Sequence, residues 1–198
     1  MQAESQGGEH ILSPMWFCFF NLYTMIIMET ERLTLRPWLD TDADALFRYA
    51  SEPDIGNQAG WPPHKSVDES REIIRTVFSS PTVWAIVLKE TGEPIGSVGY
   101  MESFELNIPA RPGEAMAGYW VAKPYWNKGI CTEALAEMIR HIRETTQIPS
   151  LICCHFTDNP ASGRVMEKCG FIPTGEISID ENQHGGKNRP MRILRLEF

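Results

Sequence analysis

The residues with the clearest chemical potential form one run, Trp126-Asn127-Lys128-Gly129-Ile130-Cys131-Thr132. Before it, Ala117, Tyr119 and Val121 alternate as one face of a strand; Pro124 stops that strand, and Thr132-Glu133-Ala134-Leu135 begins a helical stretch. The amides of Asn127 to Cys131 therefore fall at a helix N-terminus. There the first N–H groups lack an intrahelical carbonyl, and the macrodipole adds roughly half a positive charge. Such a turn suits a phosphate. Lys128 can add a full charge, and Gly129, lacking a Cβ, lets a ligand oxygen come close to the backbone. An ordinary strand-to-helix turn with a surface lysine fits the same residues, so the run alone leaves both readings open.

Cys153-Cys154-His155 sets ligating side chains side by side, yet adjacent strand residues point to opposite faces and cannot chelate one ion. No metal is expected. The five cysteines, Cys18, Cys131, Cys153, Cys154 and Cys169, include no CxxC pair and sit mostly in apolar segments, which fits a reducing, cytoplasmic setting. A formal net charge of −8, without any run of Lys and Arg, speaks against a nucleic-acid surface. With 198 residues, 42% of them hydrophobic, the chain can build one domain with a substantial core.

Residues 1–27 stand apart. A polar start leads into Ile11 to Met28, which is apolar and aromatic but interrupted by Ser13, Pro14, Asn21 and Thr24. The first Lys or Arg is Arg32, on the wrong side for a secretory signal, and a membrane span wants about 20 uninterrupted apolar residues. We expect no membrane association. The segment reads instead as an extension upstream of an internal start at Met28, packing on the domain or mediating self-association, so a homodimer is a possible assembly.

From Glu29 the pattern becomes regular. Leu33 and Leu35 alternate with Arg32, Thr34 and Arg36 as a first strand; Asp40 or Thr41 caps a helix bearing Ala43, Leu46, Phe47 and Ala50. Ile55 to Lys65 reads as a loop, with Trp61 as a packing anchor. Ser66 and Glu69 form a capping box before a helix whose buried stripe is Ile73, Ile74, Val77 and Phe78. Val83 to Leu88 and Ile95 to Met101 form a hairpin. A looser connection, Phe104 to Gly113, leads to the strand Ala115 to Val121. The helix Gly129 to Thr145 follows, then the doubly buried strand Leu151 to Phe156, which makes a parallel pair with a right-handed crossover. Ligands of such units bind at the carboxyl ends of the strands. Asn159 caps a short helix with Pro160 at its first position and Gly170 past its end. Phe171 to Ile179 and Met191 to Phe198 are the last strands, joined by a polar, surface-exposed Asp180 to Pro190.

Three stretches, Glu29 to Trp38, Gly118 to Ala134 and Asn159 to Phe171, together resemble the GNAT superfamily of acyl-CoA-dependent N-acetyltransferases. Within it the closest likeness is to the RimJ/RimL-type ribosomal-protein N-terminal acetyltransferases. The resemblance spans residues 28–198. It implies a single α/β (α+β) domain: a mixed, mostly antiparallel twisted sheet of roughly six to seven strands with a splayed central parallel pair, flanked by about four helices. It also implies acetyl-CoA as co-substrate and a peptide or protein N-terminal amine, or a small amine, as acceptor.

The same resemblance assigns roles. The family's pyrophosphate loop, Gln/Arg-x-x-Gly-x-Gly/Ala, is occupied here by Trp126-Asn127-Lys128-Gly129-Ile130-Cys131, with Thr132 following. Trp126 replaces the basic or amide residue and Cys131 the small one. Asn127 stands where Trp-Gly-Lys-Gly relatives have Gly; Asn tolerates positive φ better than most residues. Trp120, Val121 and Ala122 match the splayed strand that pairs with the pantetheine arm, and an N–H near Val121 would hold the oxyanion. Asn159, Ser162 and Arg164 match further CoA contacts. The general-acid Tyr of many relatives is Met166 here, so Ser162 is the candidate partner for the departing thiolate. Met116 occupies the place of a frequent Glu, leaving Glu114, on the same face, as candidate base. A non-catalytic acyl-CoA-binding module is the competing expectation.

Overall fold

The computed structural model describes residues 26–102, 108, 110–180 and 188–198. The extension up to residue 25, most of the connection after β4 and most of the final polar loop lie outside the described residues. Eight strands form one sheet in the order β1-β2-β3-β4-β5-β6-β8-β7. In the chain these are β1 (Met28–Glu29), β2 (Leu33–Arg36), β3 (Val83–Leu88), β4 (Pro94–Met101), β5 (Ala115–Val121), β6 (Ser150–Phe156), β7 (Ile172–Asp180) and β8 (Arg189–Glu197). The helices are α1 (Ala43–Ala50), α2 (Pro53–Ala59), α3 (Val67–Thr76), α4 (Ile130–Thr145) and α5 (Pro160–Lys168).

The sheet is buried on both faces at its centre, and β3 shows how. Trp84 and Ile86 join the core beneath α4 with Leu135 and Met138, whereas Ala85 and Val87 join a second cluster with Leu46 of α1 and Ile74 of α3. That is the period of two of a strand covered on both sides. The α4 stripe of Ala134, Leu135, Met138, Ile139 and Ile142 is buried as its spacing predicts. Val77, expected in the α3 stripe, is 60% exposed, because the helix ends at Thr76.

Two elements exceed the sequence reading. Met28–Glu29 adds an edge strand, with Met28 opposite Leu35. Where a loop was expected, Pro53–Ala59 is a helix: Pro53 sits in its first turn, where its missing N–H costs nothing, and Gly60 ends it at φ 82°. The first helix also starts differently. Asp40 opens a 3₁₀ turn, and Asp42 accepts from the Leu39 N–H at 2.9 Å and pairs with Arg36.

The feature that positions the site is a divergence. β5 and β6 pair in parallel only at Ala115–Leu151 and Met116–Ile152. Beyond that point β5 stays on β4 as far as Val121, while β6 stays on β8 as far as Phe156, so the two strands splay toward their carboxyl ends. At the closed end lies a buried polar knot. Glu114 Oε1 accepts from Arg195 Nε (2.9 Å) and Ser150 Oγ (3.1 Å), and Oε2 accepts from the Arg111 N–H (3.0 Å).

Candidate functional site

A cleft of about 460 Å³ opens between the diverging strands. One wall is β5 from Tyr119 to Val121, another is the β6–α5 junction from Asp158 onward, the Tyr125–Thr132 turn closes one end, and Ile55, Gln58 and Ala59 of α2 face in from the side.

The strand wall is built by alternation. The Ala122 N–H donates to the Ile95 carbonyl at 2.8 Å. In an antiparallel ladder every second residue bonds the same neighbour, so Ala122, Trp120 and Gly118 turn their backbone groups to β4, while Val121, Tyr119 and Ala117 turn theirs to the other side. Two contacts agree: Cys153 Sγ of β6 meets the Ala117 carbonyl at 3.1 Å, and Trp126 Nε1 donates to the Val121 carbonyl at 2.8 Å. The cleft-facing backbone is therefore that of Tyr119 and Val121. This corrects the expectation for Trp120 and Ala122. Ala122 is fully buried with its N–H on Ile95 and its carbonyl accepting from Tyr125, whereas Trp120 lines the cleft with its backbone groups turned to β4. The indole N–H of Trp120 is buried and has no hydrogen-bond partner among the described residues.

The turn follows the expected form. Asn127 takes φ 59°, the positive-φ non-glycine among the described residues, and Gly129 takes φ 76°. Gly129 is the N-cap of α4, and the first helical bond runs from the Glu133 N–H to its carbonyl at 3.0 Å. The amides of Gly129, Ile130, Cys131 and Thr132 thus have no carbonyl within the helix, and all four residues line the cleft. Lys128 does not. Its Nζ lies 5.5 Å from the centroid of the Tyr125 ring, and its carbonyl accepts from Arg32 Nη1 at 2.9 Å. Burial, with a smaller contribution from Cys169, pushes the Cys131 thiol up to about 12, so it stays protonated and apolar in character.

On the opposite wall Asn159 caps α5, its Oδ1 accepting from the Ser162 N–H at 3.3 Å. Ser162 meets a residue that the sequence places only on one face of a strand. Tyr119 Oη donates to the Ser162 carbonyl at 2.7 Å and lies 3.0 Å from Ser162 Oγ. With the phenolic proton spent on the carbonyl, the Ser162 hydroxyl is the donor in the second contact. Burial pushes the Tyr119 phenol far above its usual range. Tyr119 lies two residues before Val121, the strand period, which is the signal that puts both on the cleft side. Arg164 and Lys168 of α5 line the cleft as well.

Glu114, expected as base, is not in the cleft. It is 2% exposed at the closed end of the strand pair, with its oxygens committed to Arg195, Ser150 and Arg111. Asp158 is the carboxylate among the described lining residues, and Arg189 pairs with it at 2.6 Å. Cys131, Cys153 and Cys169 are free thiols, no group of His, Cys, Asp and Glu among the described residues could hold a metal ion, and no described helix is long and apolar enough to cross a membrane.

Comparison with known proteins finds the same domain. The family model described as acetyltransferase (GNAT) domain matches residues 32–172. The p20 protein of Bacillus licheniformis, named an uncharacterized N-acetyltransferase, is 32% identical over 166 residues, covering 81% of this chain and 90% of its own length. YoaA of Bacillus subtilis (strain 168), named likewise, is 26% identical over 164 residues, covering 80% and 90%. Among solved structures, an acetyltransferase of the GNAT family from Bacillus anthracis superposes with a TM-score of 0.72 at 18% identity, covering 87% of this chain and 98% of its own. The ribosomal-protein-S5-alanine acetyltransferase from Vibrio fischeri gives 0.66 at 18% identity, covering 87% and 96%. The microcin C7 self-immunity acetyltransferase MccE, solved with acetyl-CoA and AMP, gives 0.69 at 19% identity, covering 85% and 94%.

Proposed function

Since the chain belongs to the GNAT acetyltransferase family, and is thereby an N-acetyltransferase, we propose that it transfers an acetyl group from acetyl-CoA to a primary amine by direct attack. The acceptor is a peptide or protein N-terminus, or a small amine. The observation that carries this is the splayed β5–β6 cleft, with the Val121 N–H turned into it and the Asn127–Thr132 turn closing its end.

In this reading the diphosphate of the donor lies on the amides of the turn, whose positive end suits an anion, and Arg164 and Lys168 border the nucleotide side. The pantetheine arm extends along Tyr119 and Val121 as an added strand would. That brings the thioester carbonyl to the Val121 N–H. The Trp126 indole already satisfies the Val121 carbonyl, which holds the Val121–Ala122 peptide, next to the one that carries this N–H, before the donor arrives. A donor preorganised for the oxyanion is worth about 3 to 4 kcal/mol in reactions of this kind.

The amine must reach the thioester unprotonated. Asp158 takes the place that Glu114 cannot fill, receiving the ammonium proton. The nitrogen lone pair then forms the C–N bond, the carbonyl becomes an oxyanion on Val121, and its collapse breaks the C–S bond. The departing thiolate accepts a hydrogen bond from Ser162 Oγ, whose one proton turns from Tyr119 Oη to the sulfur, and is finally protonated by the proton that the attacking nitrogen loses. Tyr119, kept neutral by burial, holds Ser162 in place rather than supplying a proton. Four wall elements and a hydroxyl at the thiol end favour catalysis over a sensor that only binds.

The test is thiol release from acetyl-CoA over a panel of N-terminal peptides and small amines, alongside Asp158→Asn and Ser162→Ala. Turnover on at least one amine, with both variants reduced, is expected. Measurable acetyl-CoA binding with no turnover across the panel would favour the binding module.

A further inference from the structure

The structure assigns to Arg32 a positioning role in the phosphate turn, an inference that rests on the donor reading above. Arg32 lies just ahead of β2, far from the turn in sequence, yet its guanidinium spans two groups there. Nε and Nη2 donate to Glu133 Oε2 at 2.7 and 2.6 Å, and Nη1 donates to the Lys128 carbonyl at 2.9 Å. Glu133 is gripped from its other oxygen, where Oε1 accepts from Thr30 Oγ1 at 2.6 Å and from the Arg32 N–H at 3.0 Å. Burial pushes this carboxyl up, but the hydrogen bonds from Thr30 and Arg32 outweigh it and hold it below the usual carboxylate range. The clamp therefore stays ionised.

The consequence follows from peptide geometry. In a trans peptide the C=O of one residue and the N–H of the next point in opposite directions. Holding the Lys128 carbonyl on Arg32 turns the Gly129 N–H the other way, and Gly129, unlike Lys128, lines the cleft. The guanidinium backs directly onto the turn, since a Cβ built on Gly129 would lie 3.6 Å from Nη2. Glu133 stands in the first turn of α4, where its charge alone would repel a bound diphosphate. Arg32 cancels that charge while using it as an anchor. A planar fork can hold both groups at once; an ammonium cannot.

Arg32→Gln, Arg32→Lys and Glu133→Gln separate this from a charge effect. The readout is quenching of tryptophan fluorescence by acetyl-CoA and by S-acetylpantetheine, which lacks the diphosphate; Trp120 and Trp126 line the cleft. We expect all three variants to weaken acetyl-CoA about tenfold relative to S-acetylpantetheine, as for loss of one charge-assisted hydrogen bond. A pure charge role predicts the opposite sign for Glu133→Gln, because an anion near the diphosphate is removed. Acetyl-CoA binding as tight as, or tighter than, the parent in Glu133→Gln overturns the inference, and so does parent-strength binding in Arg32→Lys. If the unaltered protein fails to bind acetyl-CoA, the donor reading itself falls. Loss of both ligands in parallel shows a folding defect rather than a turn effect and equally overturns the assignment.

Discussion

Gly129→Asp set against Gly129→Asn tests the phosphate turn most directly. Gly129 holds φ 76°, where an L-residue is strained by about 1–2 kcal/mol, least for Asn and Asp. Space is not the obstacle, because a Cβ there meets only Arg32 Nη2, at 3.6 Å, an ordinary contact. The two variants share shape and strain and differ by one charge. A carboxylate about 5 Å from a single phosphate charge, at an effective dielectric of about 20, is repelled by about 3 kcal/mol. Arg32 is close enough to neutralise part of the introduced charge, so roughly half survives, which is about tenfold in affinity. The assay is equilibrium binding of acetyl-CoA to both variants at low and at about 0.15 M salt, where screening to a length of about 8 Å narrows the gap. Strain alone should be seen in the thermal midpoint of both variants. Equal affinities for the Asp and Asn variants would refute a diphosphate at this turn.

Tyr119→Phe removes the donor to the Ser162 carbonyl, costing about 1 kcal/mol of stability, and should lower kcat more than it raises the KM for acetyl-CoA. Because burial pushes the phenol far up, the alkaline limb of the pH–rate profile should survive in this variant; its disappearance would make Tyr119 the titrating acid. Arg195→Met leaves Glu114 buried without its charge partner and should cost about 3–5 kcal/mol, read as a fall in the denaturant midpoint. Glu114→Gln, in contrast, should keep its activity per folded molecule, and a selective loss of turnover would restore Glu114 as base. Burial lowers the pKa of His64, and burial with Arg140 lowers that of His141. Their stability contribution is therefore complete above about pH 6.5 and is lost as pH falls through the depressed folded values. Thermal melts between pH 7.5 and 5 should show the decline, and it should flatten in the His64→Gln, His141→Gln double variant.

Much of the scaffold was legible because its signals are local. The α4 stripe, the Asn159 cap, the Ser66 cap accepting from the Glu69 N–H at 3.0 Å, and the hairpin of β3 and β4 each follow from residues within a few positions of one another. Backbone angles were legible too, since Asn and Gly at 127 and 129 are residues that accept positive φ. The α2 helix was missed although Pro53 and Asp54 are start signals, because Gly56, Gly60 and the two prolines at 62 and 63 outweighed them. What sequence could not show is which of two faces a strand residue uses when both are covered. Tyr119 and Trp120 are adjacent and both aromatic, and it is tertiary bonds such as Ala122–Ile95 that fix which of them turns its backbone to the cleft.

The same limit explains why Glu114 falls outside the cleft while the turn proposed for the donor lines it. A phosphate turn is made by consecutive amides, so its position is written in one stretch of chain. A proton-transfer group is made by a side chain whose partners come from anywhere. Glu114 immediately precedes the strand that lines the cleft, at the end where β5 still pairs with β6. Its partners there are Arg195, 81 residues on, and Ser150, 36 residues on. Arg32 is the reverse case. It looks like a solvent-facing residue beside an edge strand, and its position beside the turn arises only because Glu133, 101 residues later, is drawn to it across the sheet. The residues whose placement the sequence hides are therefore those with the longest-range partners.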